Sequence, residues 1–383
     1  MGLLSKWNRS SEAIGIDIGS HNIKAVELQP AGDSVSLHKA GARPTPRDTV
    51  RGGVIADPLS VAETISSLLE TLSVDNTSVV AAVSGPTVVV RQVQLPAMPE
   101  KRLRKSIQWE ARNYISFPVE DSVIEFQLID EETSDDMGKM DVILCACPRE
   151  IVDSRVETLE LAGLEPVAIE IEPFATIRSL VEWGGGSGLG HQTLALVGIG
   201  AAYTDINIVK NGHFVLSRVI HIAGNAFTEA VSSALSIDVE EATRIKETGM
   251  QLVTSEEERA TQDPMAQQAS RALEPLLEEL TREVTRSLAY YDYQQQAPEA
   301  EVAEVESPGV NQIMLSGGSV RMAGIDDYLK THVNVPVEIP NIFVSGRLSA
   351  PASTNEYLSE HACELVIGTG LALREYSLAD HEA

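Results

Sequence analysis

The chain has 383 residues, 43% hydrophobic and 22% charged, with a formal net charge of −27. That length exceeds one simple core and predicts two or more domains. The acidic balance argues against nucleic acid as a partner and against adhesion to anionic lipid by bulk charge.

The N-terminal stretch MGLLSKWNRSS lacks a signal-peptide core and misses the myristoylation pattern at Lys6. No apolar run approaches the roughly 20 residues that span a bilayer, so a cytoplasmic protein is expected. AIGIDIGSHNIKAVEL (13–28) reads as two strands joined by a Gly-Ser-His-Asn turn, with a third strand at 35–38. DPLSVAETISSLLETL (57–72) opens with Asp57 as N-cap and Pro58 at the first helical position. Its Leu59, Ala62, Ile65, Leu69 and Leu72 recur at helical spacing. A buried strand follows from Ser78. Residues 88–95 predict a strand. A helix opened by Pro99 and Glu100 carries Leu103, Ile107, Ala111 and Tyr114 on one face. Two strands at 123–129 and 141–147 are joined by the acidic loop EETSDDMGK, and a second helix ends near Gly163. This β-α-β-β-α order is a small α+β module. Cys145 and Cys147 alternate on one strand face with no zinc-type partner pair, and with Cys363 they read as buried thiols in a reducing compartment.

EPVAIEIEPFATIRSLVEW (165–183) gives a strand and a helix, and the glycine-rich GGGSGLG (184–190) reads as a hinge. The hairpin pattern then repeats as ALVGIGAAYTDINIV (195–209), with Gly198 where the first copy has Asp17. A helical region is expected over 226–247, a loose polar loop over 254–270, and a long amphipathic helix over 273–293. APEAEVAEVESPG reads as an acidic connection. IMLSGGSVRMAGIDDYL reads as strand, Gly-Gly turn and helix, and ACELVIGTGLALREY as a terminal helix.

Glycine turns between strands expose backbone N–H groups and suit phosphate. Two near-copies separated by a hinge predict two related lobes that offer a phosphate loop each to one nucleotide. The turn 316–319, with Gly317 and Gly318, is placed at the nucleoside end. Asp17 is the candidate Mg²⁺-side acid, since Mg²⁺ on phosphates needs only one or two carboxylates. Asp205, on the far strand of the second hairpin, is expected to be a poor substitute for the acid absent at Gly198. Lys24 reads either as a point charge for phosphate or as a surface lysine. Ser20, His21 and Asn22 read either as ligand-side or as plain turn residues.

These hairpins resemble the actin-like ATPase superfamily. KSIQWEARNYISFPVEDSVIEFQLID, GLEPVAIEIEPFATIRSL, SLAYYDYQ, LSGGSVRMAGIDDYL and IGTGLALREY are similar to the PilM family of type IV pilus assembly proteins. The resemblance implies an α/β, actin-like two-lobed fold of duplicated ribonuclease-H-like lobes with an inserted module, as in the division protein FtsA. The implied division is a first lobe at 1–86 and 166–190 and the module at 87–165. The second lobe is 191–225 and 309–360, with a helical subdomain at 226–308, and 361–383 returns to the first lobe. ATP or ADP with Mg²⁺ is the implied cofactor, held by Asp17, Gly19, Ser20, His21, Asn22, Lys24, Gly200, Ala201, Lys246, Gly317 and Gly318. The implied partner is the cytoplasmic tail of PilN, docked between the first lobe and the module, together with other pilus platform or motor proteins. The location is the cytoplasmic face of the inner membrane, reached only indirectly.

The departures are Gly198 for the family's Asp, and ATRIK (242–246), where Thr243 replaces a ribose-side Glu and Lys246 remains. They predict a nucleotide-binding scaffold with little or no hydrolysis. The alternatives are an active ATPase or phosphotransferase, with Glu170 or Glu172 as base, and an FtsA-like filament former, against which the acidic end REYSLADHEA argues. Lys101, Arg102, Arg104, Lys105 and Arg112 form a basic cluster, read either as a solvated helix face or as a docking face.

Overall fold

The computed structural model describes residues 13–32, 34–129, 138–184, 188–253, 255–295, 309–344 and 347–377. The N-terminal stretch, most of the acidic loop 131–139, the middle of the glycine hinge, most of the acidic connection 297–309 and the last six residues lie outside them.

Two sheets carry the same strand order. The first runs Glu165–Ile171, Ser78–Val83, Ile14–Ile18, Asn22–Ala31 and Ser34–Pro44. The second runs Val337–Glu338, Gln312–Ser316, Thr193–Ile199, Thr204–Lys210 and His213–Ile220. In each, the central strand pairs parallel with one neighbour and antiparallel with its hairpin partner. The chain is thus a structural duplication. Near-continuous apolar runs form the central strands because both faces are covered.

Each sheet is extended by a segment from elsewhere in the chain. Leu348–Ser349 adds parallel to the outer strand of the first sheet. The inserted module contributes Val89–Pro96, Lys139–Pro148 and Ser122–Leu128, which continue the second sheet through one register pair, Leu216 with Arg91. The module enters the chain between two strands of the first sheet and meets the edge of the second.

The helix Pro58–Leu72 starts as expected, with the Ser60 N–H donating to Asp57 Oδ1 at 3.1 Å. Leu59 is exposed, however, and Val61 and Leu68 complete the buried face. The long helix spans Pro264–Gln295 and begins inside the segment read as a loop. Asp263 accepts from the Met265 and Ala266 N–H groups, and Pro264 stands at the first position. Its first turns bury only the small Ala266, Ala269 and Ser270, a face too weak in apolar residues to stand out. The region 226–247 is two helices, Gly224–Leu235 and Val239–Arg244. Among the described residues no helix is long and apolar enough to cross a membrane.

Candidate functional site

The two glycine turns are built alike. Gly19 N–H donates to Asn22 O at 3.1 Å, and Gly200 N–H donates to Tyr203 O at 3.0 Å. A Cβ on Gly19 would lie 2.8 Å from Asn22 O, and one on Gly200 2.9 Å from Tyr203 O, so both turns close only around a bare backbone. Each turn is also tied down by a hydroxyl at 2.7 Å: Thr45 Oγ1 on Gly19 O and Ser319 Oγ on Gly200 O. Ser319 belongs to the third glycine turn, which therefore packs directly on the second. Gly317 has φ +93° and donates its N–H to Cys363 O at 2.8 Å. Gly318 opens a 3-10 turn close to the Glu364 carboxylate. Ala201 O accepts the Asn225 N–H at 2.8 Å and fixes the start of the helix Gly224–Leu235. Ser20 and His21 occupy the bend of the first turn, and Asn22 opens its second strand.

Asp17 is buried and stands opposite Lys24 in the first hairpin, with Nζ to Oδ2 2.9 Å. Burial pulls the Lys24 ammonium down, but Asp17, Glu364 and Glu172 outweigh it and the net shift is upward. Lys24 is therefore a largely buried ion-pair partner of Asp17, not a surface lysine.

The second hairpin repeats that register, with Gly198 opposite Asp205. Opposed residues of an antiparallel pair share a face with Cβ atoms about 5 Å apart. Asp205 thus projects on the face where the side chain of residue 198 would stand. The far strand does not take it off that face: Asp205 holds the position that Lys24 holds in the first hairpin. Glu172 and Asp205 line one small cavity with Ser84, Gly85, Pro173 and Ser217. Burial, then Asp205 and Asp17, push the Glu172 carboxyl well above the ordinary range, and burial pushes Asp205 upward too. Behind them lies fully buried Arg155, whose guanidinium donates to Ala82 O (2.6 Å), Ile151 O (3.3 Å) and Gly53 O. Its charge bears on both Glu172 and Asp17. Arg155 was missed by sequence reasoning, and Asp205 was named there but set aside. Asp205 had a signal: residues 198 and 205 have the same spacing as the Asp17–Lys24 pair.

Glu170 is removed as a candidate base. Arg178 grips it through two bonds (2.9 and 3.1 Å) and Arg374 through a third (2.9 Å). Lys246 is buried and donates to Thr228 Oγ1 (2.9 Å) and Gly224 O (3.2 Å), and burial lowers its pKa despite Glu247. Thr243 is half-buried and turns its hydroxyl back to Val239 O at 2.8 Å. Burial lowers the His21 pKa; Glu247 and Glu364 oppose this, while Lys246 and Lys24 reinforce it.

The oxygen donors Asp17, Asp205 and Glu172 suit a hard cation that keeps its waters. Among the described residues no three acids, histidines or cysteines close into a metal cage. Space also remains: a Cβ on Gly198 would meet only Ser316 Oγ, at 3.5 Å.

A second site lies where the module meets the first lobe. A groove of ≈ 450 Å³ is lined by residues that include Glu100, Arg104, Glu125, Phe126, Leu128 and Phe174. Arg104 crosses it, bonded to Glu100 at 2.7 Å and lying over the Phe126 ring at 5.1 Å. The strand Ser122–Leu128 is the last of its sheet, with one edge open among the described residues. Ile129 N–H donates to Asp141 O, so by the antiparallel alternation the N–H groups of Ile124, Phe126 and Leu128 point out of the sheet. Cys145 sits in this groove with its thiol pushed up by burial to about 12, and is inert there.

Comparison with known proteins agrees with this architecture. The family model "Type IV pilus assembly protein PilM" matches residues 15–376. A solved "PilM-PilN type IV pilus biogenesis complex" is 28% identical with TM-score 0.78, covering 95% of this chain and 98% of that one. The cell division protein FtsA of Bacillus subtilis is 22% identical over 380 residues, 86% of this chain and 79% of FtsA. MreB 5 of Spiroplasma citri bound to AMPPNP is 15% identical with TM-score 0.52, covering 98% and 99%, a likeness of fold. The duplicated sheets are those of an actin-like two-lobed protein, and the chain belongs to the type IV pilus assembly protein PilM family.

Proposed function

We propose that this chain is a nucleotide-responsive scaffold of the pilus assembly platform that works at the cytoplasmic face of the inner membrane. It holds the cytoplasmic tail of a PilN-type membrane protein in the groove between module and first lobe. The observation that carries this reading is the groove itself, with its outward N–H groups beside Phe126 and Phe174. An extended peptide adds to such an edge through its backbone and fills the flanking pockets with alternate side chains.

ATP or ADP binds between the lobes, with its phosphates on the turns at Gly19 and Gly200. Lys24 and Lys246 supply positive charge nearby. Asp17 and Asp205 are the residues that would hold Mg²⁺ beside the phosphates. The metal neutralises phosphate charge, while the protein groups hold the nucleotide in place. Glu170 is clamped by Arg178 and Arg374, and burial with the neighbouring acids favours the protonated form of Glu172, so neither is a ready base and hydrolysis is weak or absent. The nucleotide acts as a conformational ligand. The module's sheet is joined to the second lobe by one register pair, so lobe closure reaches the groove by a short path.

The test is calorimetric titration of the full chain with a PilN-tail peptide, with and without Mg-ATP. Binding whose affinity changes with nucleotide supports the reading. No binding in either condition removes the partner assignment.

A further inference from the structure

We infer that the outer face of the helix Glu100–Ala111 is a docking surface for an anionic lipid bilayer. At 100° per residue, Lys101, Arg102, Lys105, Gln108, Trp109 and Arg112 fall within a sector of about 120°. All six are exposed, and the sector contains no carboxylate. Leu103, Ile107 and Ala111 point the opposite way into the module core.

Lys101, Arg102 and Lys105 form no ion pair among the described residues. Arg112 pairs with Glu120 (2.9 Å) and covers the Trp109 ring at 4.4 Å. Arg104, counted with this cluster in the sequence, is not part of the face. It turns into the groove between Glu100 and Glu125.

Trp109 decides the kind of partner. It is 69% exposed, behind only Tyr293 and Val344 among the large hydrophobic side chains of the described residues. Its indole shares the face with the unpaired Lys101, Arg102 and Lys105 and lies under Arg112, which Glu120 pairs, on a helix whose inner face is already buried. Trp flanked by Lys and Arg on one helix face matches the headgroup boundary of a bilayer, where the ring sits at the interface and the cations meet lipid phosphates. The chain's net charge of −27 does not forbid this. At physiological salt, charges beyond about 8 Å of the leaflet are screened. The proposal does not need the partner assignment. If both hold, the groove lies about one helix diameter, ~10 Å, from the leaflet, within reach of a short membrane-anchored tail.

The test is co-sedimentation of the full chain with vesicles of phosphatidylcholine alone and of phosphatidylcholine with phosphatidylglycerol. The chain is expected to bind only the anionic vesicles, with Trp109 emission shifting blue. Lys101→Glu/Arg102→Glu/Lys105→Glu should lose more than tenfold in partition, since each basic residue near an anionic leaflet is worth about a fivefold factor. Trp109→Ala should lose severalfold at unchanged charge. Both variants should keep the parent melting temperature, because every altered side chain is exposed. Equal binding to both vesicle types, undiminished binding of the triple variant, or capture by an acidic protein with no affinity for anionic vesicles overturns the proposal.

Discussion

Asp205 stands directly opposite Gly198 in the second hairpin, as Lys24 stands opposite Asp17 in the first. The acid missing from one strand is present on its partner, on the same face of the sheet. Asp205→Asn is therefore expected to weaken nucleotide affinity about tenfold in Mg²⁺ and hardly at all in chelator, as loss of an outer carboxylate does at a metal site. Gly198→Asp should fold, since its Cβ has room. Two carboxylates then face each other, so this variant should gain more melting temperature from Mg²⁺ than the parent does. Calorimetry and thermal melts decide both. An affinity loss in Asp205→Asn that is equal with and without metal would exclude the metal-side role.

Glu172 makes stability depend on pH. Burial and the neighbouring acids Asp205 and Asp17 raise its pKa in the folded chain. The folded state then holds a proton that the unfolded state releases. Stability from this group is full below the ordinary carboxylate range and falls as pH rises toward the raised value. Glu172→Gln removes the cost of burying the charge. The variant should match the parent at pH 4 and exceed it at pH 8, by on the order of 1 kcal/mol. Parallel melting profiles from pH 4 to pH 8 would show that the carboxyl is not held protonated.

The hairpins were legible because glycine spacing and alternation are local. Their faces were not, because register decides which residues meet, and Asp205 was set aside for that reason. Glu170 looked like a free acid until the fold brought Arg374 to it from 204 positions away. The helix start at Pro264 was hidden because alanine and glutamine carry little apolar contrast. The groove was implied only by resemblance. Its open edge follows from Ser122–Leu128 being the last strand of a sheet assembled from distant segments.

Gly317 separates the glycines the cleft requires from those it tolerates. It combines φ +93° with a Cβ position 2.5 Å from Ile199 O. Gly317→Ala should cost on the order of 2 kcal/mol or more, from the left-handed backbone and the clash. It should also loosen the turn that Ser319 ties to Gly200. Gly190→Ala is the control, with nothing within 4 Å of its Cβ, and should stay within about 0.5 kcal/mol. Denaturant unfolding of both measures the contrast; equal midpoints would mean the third turn is not locked.

Backbone and side chains of the groove can be tested apart. Ile124→Pro removes an outward N–H while sparing the ladder to Lys139–Pro148, whose bonds use the odd-numbered residues. Phe126→Ala keeps the backbone but removes the aromatic floor beneath Arg104. Strand addition needs both, so each variant should weaken binding of the PilN-tail peptide about tenfold or more, with circular dichroism unchanged. The two effects should not add fully, because both act on one short segment. Full-affinity binding by Ile124→Pro with loss in Phe126→Ala would mean that the peptide is held by side chains alone and does not extend the sheet.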